Sequence, residues 1–328
     1  MKRRGLLALC TLLVVGLILA ACPCSVVAGE KPLRIGVTTP SADHGWMGGV
    51  IWWAKKAIGE WQNKDKSLTF FMVTAESAAK QVADVEDLMA KKIDALVILP
   101  QDSASLTAVV EEAHNKGIYV VLVGRGLTKD VYDVEIVGDN PNMGRVSGEW
   151  MAAELKGKGD LVIIEGVPTI PNTERVDGFK GVIKKYPGIR ILDSQPGNWN
   201  MQKTAEVMEN YLQKYPKIDA VWAGDDDMLK GALKVYKESR RNDIKTFLGG
   251  AGSKDIIKMV MDGDELVRAD VTYTPSHIAS GVSLAVMGSR GEGLGTFYQR
   301  KLPHKIMLSS ELVTRDNAKL YYFPDAIY

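Results

Sequence analysis

Lys92-Ile93-Asp94-Ala95-Leu96-Val97-Ile98-Leu99-Pro100-Gln101-Asp102 is the stretch on which the fold turns. Its five apolar residues stand at successive rather than alternate positions, the pattern of a strand covered on both faces, as in parallel sheets flanked by helices. The run stops at a proline and a polar pair, so polar groups sit at the carboxyl end of the strand. Its opening is echoed 125 residues later by Lys217-Ile218-Asp219-Ala220-Val221-Trp222. Each copy follows a helical pattern and leads into an aspartate-bearing turn.

Outward from these two runs the same alternation continues. Residues 33–37 form a β-rich run ended by Thr38-Thr39-Pro40-Ser41, and a helix is predicted over 46–61. Strand 68–73 precedes a helix over 77–92, whose Val82, Val85, Leu88 and Met89 share a face. A helix over 103–116, closed by Gly117, leads to strand 118–123. After Asp139-Asn140-Pro141 the pattern restarts, with helices over 143–156, 173–185 and 202–214 and strands over 161–165, 189–194 and 220–223. The strands at Leu33 and Leu161 are separated by nearly the same interval as the two echoes. The expected fold is therefore α/β, with two similar Rossmann-like lobes built on parallel sheets. Each presents its ligand edge at the carboxyl ends of its strands, and the two edges face each other across a cleft.

The 328 residues carry 41 Lys plus Arg against 40 Asp plus Glu, so no general positive field exists to hold nucleic acid. Residues 1–28 resemble a secretory signal peptide: Lys2, Arg3 and Arg4 precede an uncharged apolar run. Two exits are open, a lipobox ending at Cys22 that would lead to lipid anchoring, and a small-residue cleavage site ending at Ala28. Removal leaves 38 basic and 40 acidic residues, a net charge of −2. The three cysteines, Cys10, Cys22 and Cys24, all fall in or beside this leader, so the body has no disulfide framework and no thiol nucleophile.

Several chemistries lack their motifs. No Gly-x-Gly-x-x-Gly follows the first strand, and the glycine-rich run 288–295 lacks the Lys-Ser/Thr ending of a phosphate loop and is read as a crossover. His44, His114, His277 and His304 show no metal-ligand spacing, and no Gly-x-Ser-x-Gly elbow is present. Asp225-Asp226-Asp227 could cap a helix, meet a ligand hydroxyl or hold a hard cation; one ligand contact plus one cap is the preferred reading. No catalytic residue, cofactor or metal is expected. The residues at the strand ends are Asp43, His44, Trp46, Gln101, Asp102, Arg125, Asn172, Arg175, Trp199, Asp225 and Tyr273. Carboxylates, amides and guanidinium groups match hydroxyls, while indole and phenol rings cover the C–H faces of a sugar or polyol. Two arginines against three aspartates disfavour an anionic ligand.

From Leu33 to about Gly288 the chain resembles the ribose- and galactose-type periplasmic binding proteins, the substrate-capturing subunits of ABC sugar importers. The resemblance rests on residues 33–37 followed by 43–46, on 93–102, Val121-Leu122-Val123-Gly124-Arg125, Gly138-Asp139-Asn140, Arg175-Val176-Asp177-Gly178-Phe179 and 219–228. It implies a three-crossing hinge near Gly138, Tyr273 and Leu302, with residues 31–138 and 274–302 in one lobe and 139–273 and 303–328 in the other. It also implies a monosaccharide or polyol held by Asp43, Trp46, Arg125, Trp199, Asp225 and Tyr273, with a further contact from Asn172 or Arg175. The implied protein is a monomeric periplasmic carrier that docks on a membrane permease and binds no nucleic acid; a sensor presenting its closed form to a chemoreceptor or kinase is the alternative. Two departures stand out. Gly124-Arg125 replaces the usual Asp-Arg, and Gly249-Gly250-Ala251-Gly252-Ser253 replaces a turn with an aspartate. His44 and Asn172 are the expected substitutes for these missing carboxylates.

Overall fold

The computed structural model describes residues 31–293 and 301–328. The leader expected over 1–28, with Cys22, lies outside the described residues, as does the end of the glycine-rich run.

In the first lobe β1 (Leu33–Pro40), α1 (Gly45–Lys64), β2 (Leu68–Ala75), α2 (Ala78–Ala90), β3 (Ala95–Ile98), α3 (Ser103–Asn115), β4 (Tyr119–Val123) and β5 (Val134–Gly138) follow in chain order. With β11 (Lys305–Leu308) the strands make a parallel sheet ordered β11-β5-β4-β3-β1-β2. Side chains of β3 alternate between two cores. Ala95 and Val97 pack with α1 and with α9 (His277–Ser289), while Leu96 and Ile98 pack with α2 and α3. All four are fully buried, at roughly 1.5–3 kcal/mol for each of the larger ones.

The second lobe runs α4 (Asn140–Glu154), β6 (Lys158–Glu165), α5 (Ile170–Ile183), β7 (Gly188–Pro196), α6 (Met201–Lys214), β8 (Ala220–Ala223), α7 (Asp226–Glu238) and β9 (Thr246–Leu248), with a parallel sheet ordered β7-β6-β8-β9. After α8 (Lys254–Asp262), β10 (Ala269–Val271) pairs antiparallel with β12 (Leu312–Thr314). Here Trp222 of β8 stacks on Phe179 of α5 with centroids 4.0 Å apart.

The sequence echo has a structural meaning. In the first copy Asp94 donates its N–H to the Arg34 carbonyl (2.7 Å) and takes the Arg34 N–H on its carboxylate (2.9 Å). In the second, Asp219 does the same to Asp160, at 2.8 and 2.9 Å. One aspartate per lobe thus clasps the strand beside it and fixes the register of that strand pair, Ile35 opposite Ala95 and Leu161 opposite Ala220.

The chain passes between the sheets after β5, after β10 and after β11. The last crossing departs from the expected position near Leu302: residues 305–308 pair in parallel with β5, so 303–308 goes with the first sheet rather than the second. The short run Lys305-Ile306-Met307-Leu308 lies at the sheet edge, half in water, and so lacks the continuous apolar signature of the central strands. The crossings are tied together, with Asp139 N–H donating to Leu308 O (2.9 Å), Asn142 Nδ2 to Ser310 O (3.0 Å) and Thr272 N–H to Glu311 O (2.9 Å). Beyond them, residues 323–328 return to α1. Phe323 meets Trp53 edge-on at 5.0 Å, and the buried Tyr328 lies against Gly45 and Gly49.

Helices α4 and α5 approach closely through glycines. A Cβ on Gly144 would lie 2.0 Å from the Arg175 carbonyl, and one on Gly178 would lie 2.5 Å from the Pro141 carbonyl. Because both obstacles are backbone, neither can rotate away. Gly144→Ala is expected to force the helices apart and to lower stability by about 3 kcal/mol, measured as a fall in the urea midpoint; an unchanged midpoint would show that the approach is not needed.

Candidate functional site

The strand ends of the two lobes converge on a set of aromatic and guanidinium groups. From the first lobe, β1 ends at Pro40 and α1 starts after His44, whose backbone is extended as a helix start requires. His44 Nδ1 meets Asp43 Oδ1 at 2.5 Å, and its ring stacks at 6.4 Å on Trp46. Trp46 donates its indole N–H to the Tyr273 carbonyl (2.9 Å) and its backbone N–H to Asp227 (3.3 Å). It is thereby bound to a hinge crossing and to the second lobe.

The second lobe answers with Arg175 on α5, which is 6% exposed. Its guanidinium donates to Asn140 Oδ1 (2.7 Å) and to the Gly224 carbonyl (3.0 Å), and lies 4.2 Å from the Tyr273 ring centre and 5.1 Å from that of Trp199. Trp199 is held in place by its own backbone, with φ +58° after Asn198 at +58°, and by Gly166, where a Cβ would lie 1.9 Å from the indole. Asn172 Oδ1 accepts the Gly166 N–H at 2.7 Å, so its oxygen is committed to the loop after β6, against which the indole packs.

Of the expected residues, Trp46, Arg175, Trp199, Asp225 and Tyr273 are brought together, with Asn172 supporting them. Arg125 is exposed at the rim and donates to the carbonyls of Gln101 (2.9 Å) and Pro100 (3.2 Å). Gln101 is half-buried; its backbone N–H donates to Gln81 Oε1 (2.6 Å), and its own buried side-chain oxygen has no partner among the described residues. Asp102 is exposed and serves α3 as its cap, taking the Ser105 N–H (2.8 Å) and hydroxyl (2.6 Å) on one oxygen. Asp43 also stands in water, its side chain 78% exposed. Sequence reasoning did not select Asn140 or His277. The first closes the Gly138-Asp139-Asn140 motif at the hinge, and the second carried no local pattern beyond a helix start.

The three consecutive aspartates are divided by direction. Asp225 caps α7, accepting the Met228 N–H at 2.8 Å. Asp226 accepts the N–H groups of Gly250 (2.9 Å) and Ser253 (2.6 Å), which fixes the glycine turn that follows β9. Asp227 pairs with Lys230 at 2.9 Å. Burial pushes the Asp225 carboxyl up to about 7; Asp227 and Asp226 push the same way, against the Met228 N–H and the Arg175 charge. Burial likewise raises Asp226 and Asp270, which face each other. In the opposite sense, burial pushes the His277 imidazole down to about 4.

Rings from both lobes and hydrogen-bonding groups of both polarities suit a polar molecule with C–H faces. Fold and site together define a bilobal α/β substrate-binding protein. A family model described as a periplasmic binding protein domain matches residues 35–282, and the chain belongs to that family. It is 33% identical over 236 residues to the ribose import binding protein of Bacillus subtilis, covering 71% of this chain and 74% of the relative. To the galactofuranose-binding protein of Escherichia coli it is 29% identical over 276 residues, covering 81% and 84%. Among solved structures, the fructose-binding periplasmic domain of a hybrid two-component system superposes with a TM-score of 0.72 at 29% identity, covering 88% of this chain and 92% of that one.

The raised Asp225 carboxyl has a signed consequence. The folded protein keeps this proton between about pH 4 and 7 while the unfolded chain has released it, so stability falls as pH climbs through that window. Asp225→Asn keeps an acceptor for the cap and removes the titration. The melting temperature of the variant relative to the parent is expected to rise from pH 5 to pH 8. His277, which titrates in the opposite sense, and the raised Asp226 and Asp270 are present in both proteins, so the difference reports on Asp225 and its coupling to Asp226; a difference independent of pH would show that Asp225 is ionised throughout.

Proposed function

We propose that the chain is the exported substrate-binding subunit of an ABC importer, capturing a neutral monosaccharide or sugar alcohol between its lobes and delivering it to the membrane permease. The observation that carries this reading is the continuous assembly of Trp46, Tyr273, Arg175 and Trp199, which joins a first-lobe indole to a second-lobe indole through the hinge. Trp46 and Trp199 cover the C–H faces of the ligand, while Arg175, Asp225 and Arg125 meet its hydroxyls. Because the two indoles belong to different lobes, a ligand touches both only when they are close, and this difference in affinity between open and closed forms drives closure. The names of the relatives, which specify ribose and galactofuranose, support a compact polyhydroxylated ligand. The hybrid two-component domain favours a second reading, in which the closed form is presented to a receptor. Solute uptake by a strain lacking the gene separates the two, since a pure sensor leaves uptake intact. Cys22, outside the described residues, is the place for a lipid anchor; release of a Cys22→Ser variant from membranes tests it.

Thermal unfolding with D-ribose, D-galactose, D-fructose, L-arabinose, xylitol and myo-inositol tests the ligand class. A ligand at a hundred times its Kd adds about 2.7 kcal/mol and raises the melting temperature by several degrees. No shift with any of them at millimolar concentration would overturn the sugar reading. Trp46→Ala and Arg125→Ala are expected to weaken binding at least roughly tenfold, the loss of about 1.4 kcal/mol, while circular dichroism stays unchanged. Parental affinity in both would misplace the site.

A further inference from the structure

His277 opens α9 at the second hinge crossing and is 2% exposed. Its Nδ1 lies 2.7 Å from the Thr274 carbonyl, which can only accept, so Nδ1 carries the hydrogen and Nε2 is left as a lone-pair acceptor. Among the described residues nothing donates to that Nε2, although it is fully buried. A buried acceptor left without a donor costs about 1–3 kcal/mol, so its retention calls for an explanation. The surroundings supply one. The imidazole lies 5.4 Å from the Trp46 ring and 6.2 Å from the Tyr273 ring, two members of the aromatic assembly. Its Nε2 edge faces Gly124, at the end of β4 and directly before the rim residue Arg125. A Cβ at position 124 would lie 3.0 Å from Nε2, so any side chain there would crowd the acceptor, while Gly124 itself is only half-buried at the strand end. Gly124 has φ +70°, a conformation in which any other residue is strained.

We propose that His277 Nε2 is a specificity-determining acceptor that takes the hydrogen of one ligand hydroxyl lodged beside Gly124. The inference rests on the sugar or polyol reading of the cleft and adds a rule to it. A neutral imidazole offers one lone pair, so it recognises a single hydroxyl and does not bridge two neighbouring ones as a carboxylate does. A ligand that lacks this hydroxyl leaves the acceptor unpaired as before and forgoes the gain. A methyl ether at the same position has no hydrogen to give and clashes as well. Ligands are therefore separated by the presence and orientation of one O–H group.

Two measurements test this. Nitrogen-15 NMR of the parent protein without any sugar is expected to show His277 with a protonated Nδ1 and an unprotonated, pyridine-type Nε2; the reverse tautomer overturns the proposal whatever the ligand. Calorimetry then compares the parent, His277→Leu and His277→Gln, using the tightest binder among D-ribose, D-galactose and D-fructose and each of its singly deoxygenated analogues. One deoxygenated position is expected to cost the parent roughly tenfold or more, and to cost His277→Leu nothing further. His277→Gln, whose side-chain oxygen can accept at the same place, restores part of the discrimination and serves as the control should the leucine variant fold poorly. Penalties that add independently at every position would overturn the role of His277 while leaving sugar binding intact. Absence of binding to the parent would instead bring down the underlying reading.

Discussion

A buried guanidinium that pairs with no carboxylate among the described residues is the constraint around which the site is arranged. Removing Arg175 from water is tolerable only if its N–H groups and its faces are met. Asn140 Oδ1 and the Gly224 carbonyl meet two of the edges, while Tyr273 and Trp199 cover the faces. Each demand fixes a different part of the chain: the start of α4, the end of β8, a hinge crossing and the loop before α6. Asp225, next to Gly224, feels the same charge, which offsets part of the cost of burying its carboxyl. The close approach at Gly144 matters for this reason, since α4 has to lie against α5 for Asn140 to reach the guanidinium.

Around this centre the two lobes repeat one device. A single aspartate, placed just before a central strand, exchanges two hydrogen bonds with the neighbouring strand in each lobe. Such a clasp sets register without any long-range agreement between side chains, because a slip by one residue would turn every apolar side chain to the opposite face. With register set, the polar ends of β1, β3 and β8 fall at one edge of their sheets.

Much of this was legible in the amino-acid order. The central strands announce themselves because both faces are buried and every position must be apolar, and the Ile-Asp-Ala echo marks the same clasp twice. The edge strand Lys305–Leu308 was not legible, since a half-solvated strand of four residues shares its composition with a loop, and the third crossing was consequently expected six residues early. In the site, Trp46, Arg175, Trp199, Asp225 and Tyr273 follow from their positions at strand or hinge ends. Asp102 does not join them, because its serine partner three residues on turns it into a cap. The missing carboxylate before Arg125 was visible in the sequence. That a histidine from a distant helix faces the gap depends on how α9 packs beneath β4, and no spacing along the chain encodes it.

The return of residues 323–328 changes what water can reach at the lobe boundary. The buried Tyr328 lies against Gly45 and Gly49, with Lys230 5.3 Å from its ring centre, while Asp43 and Arg125 stand in solvent. The start of α1 is consequently dry where the last residue of the chain covers it and wet two residues earlier, at Asp43.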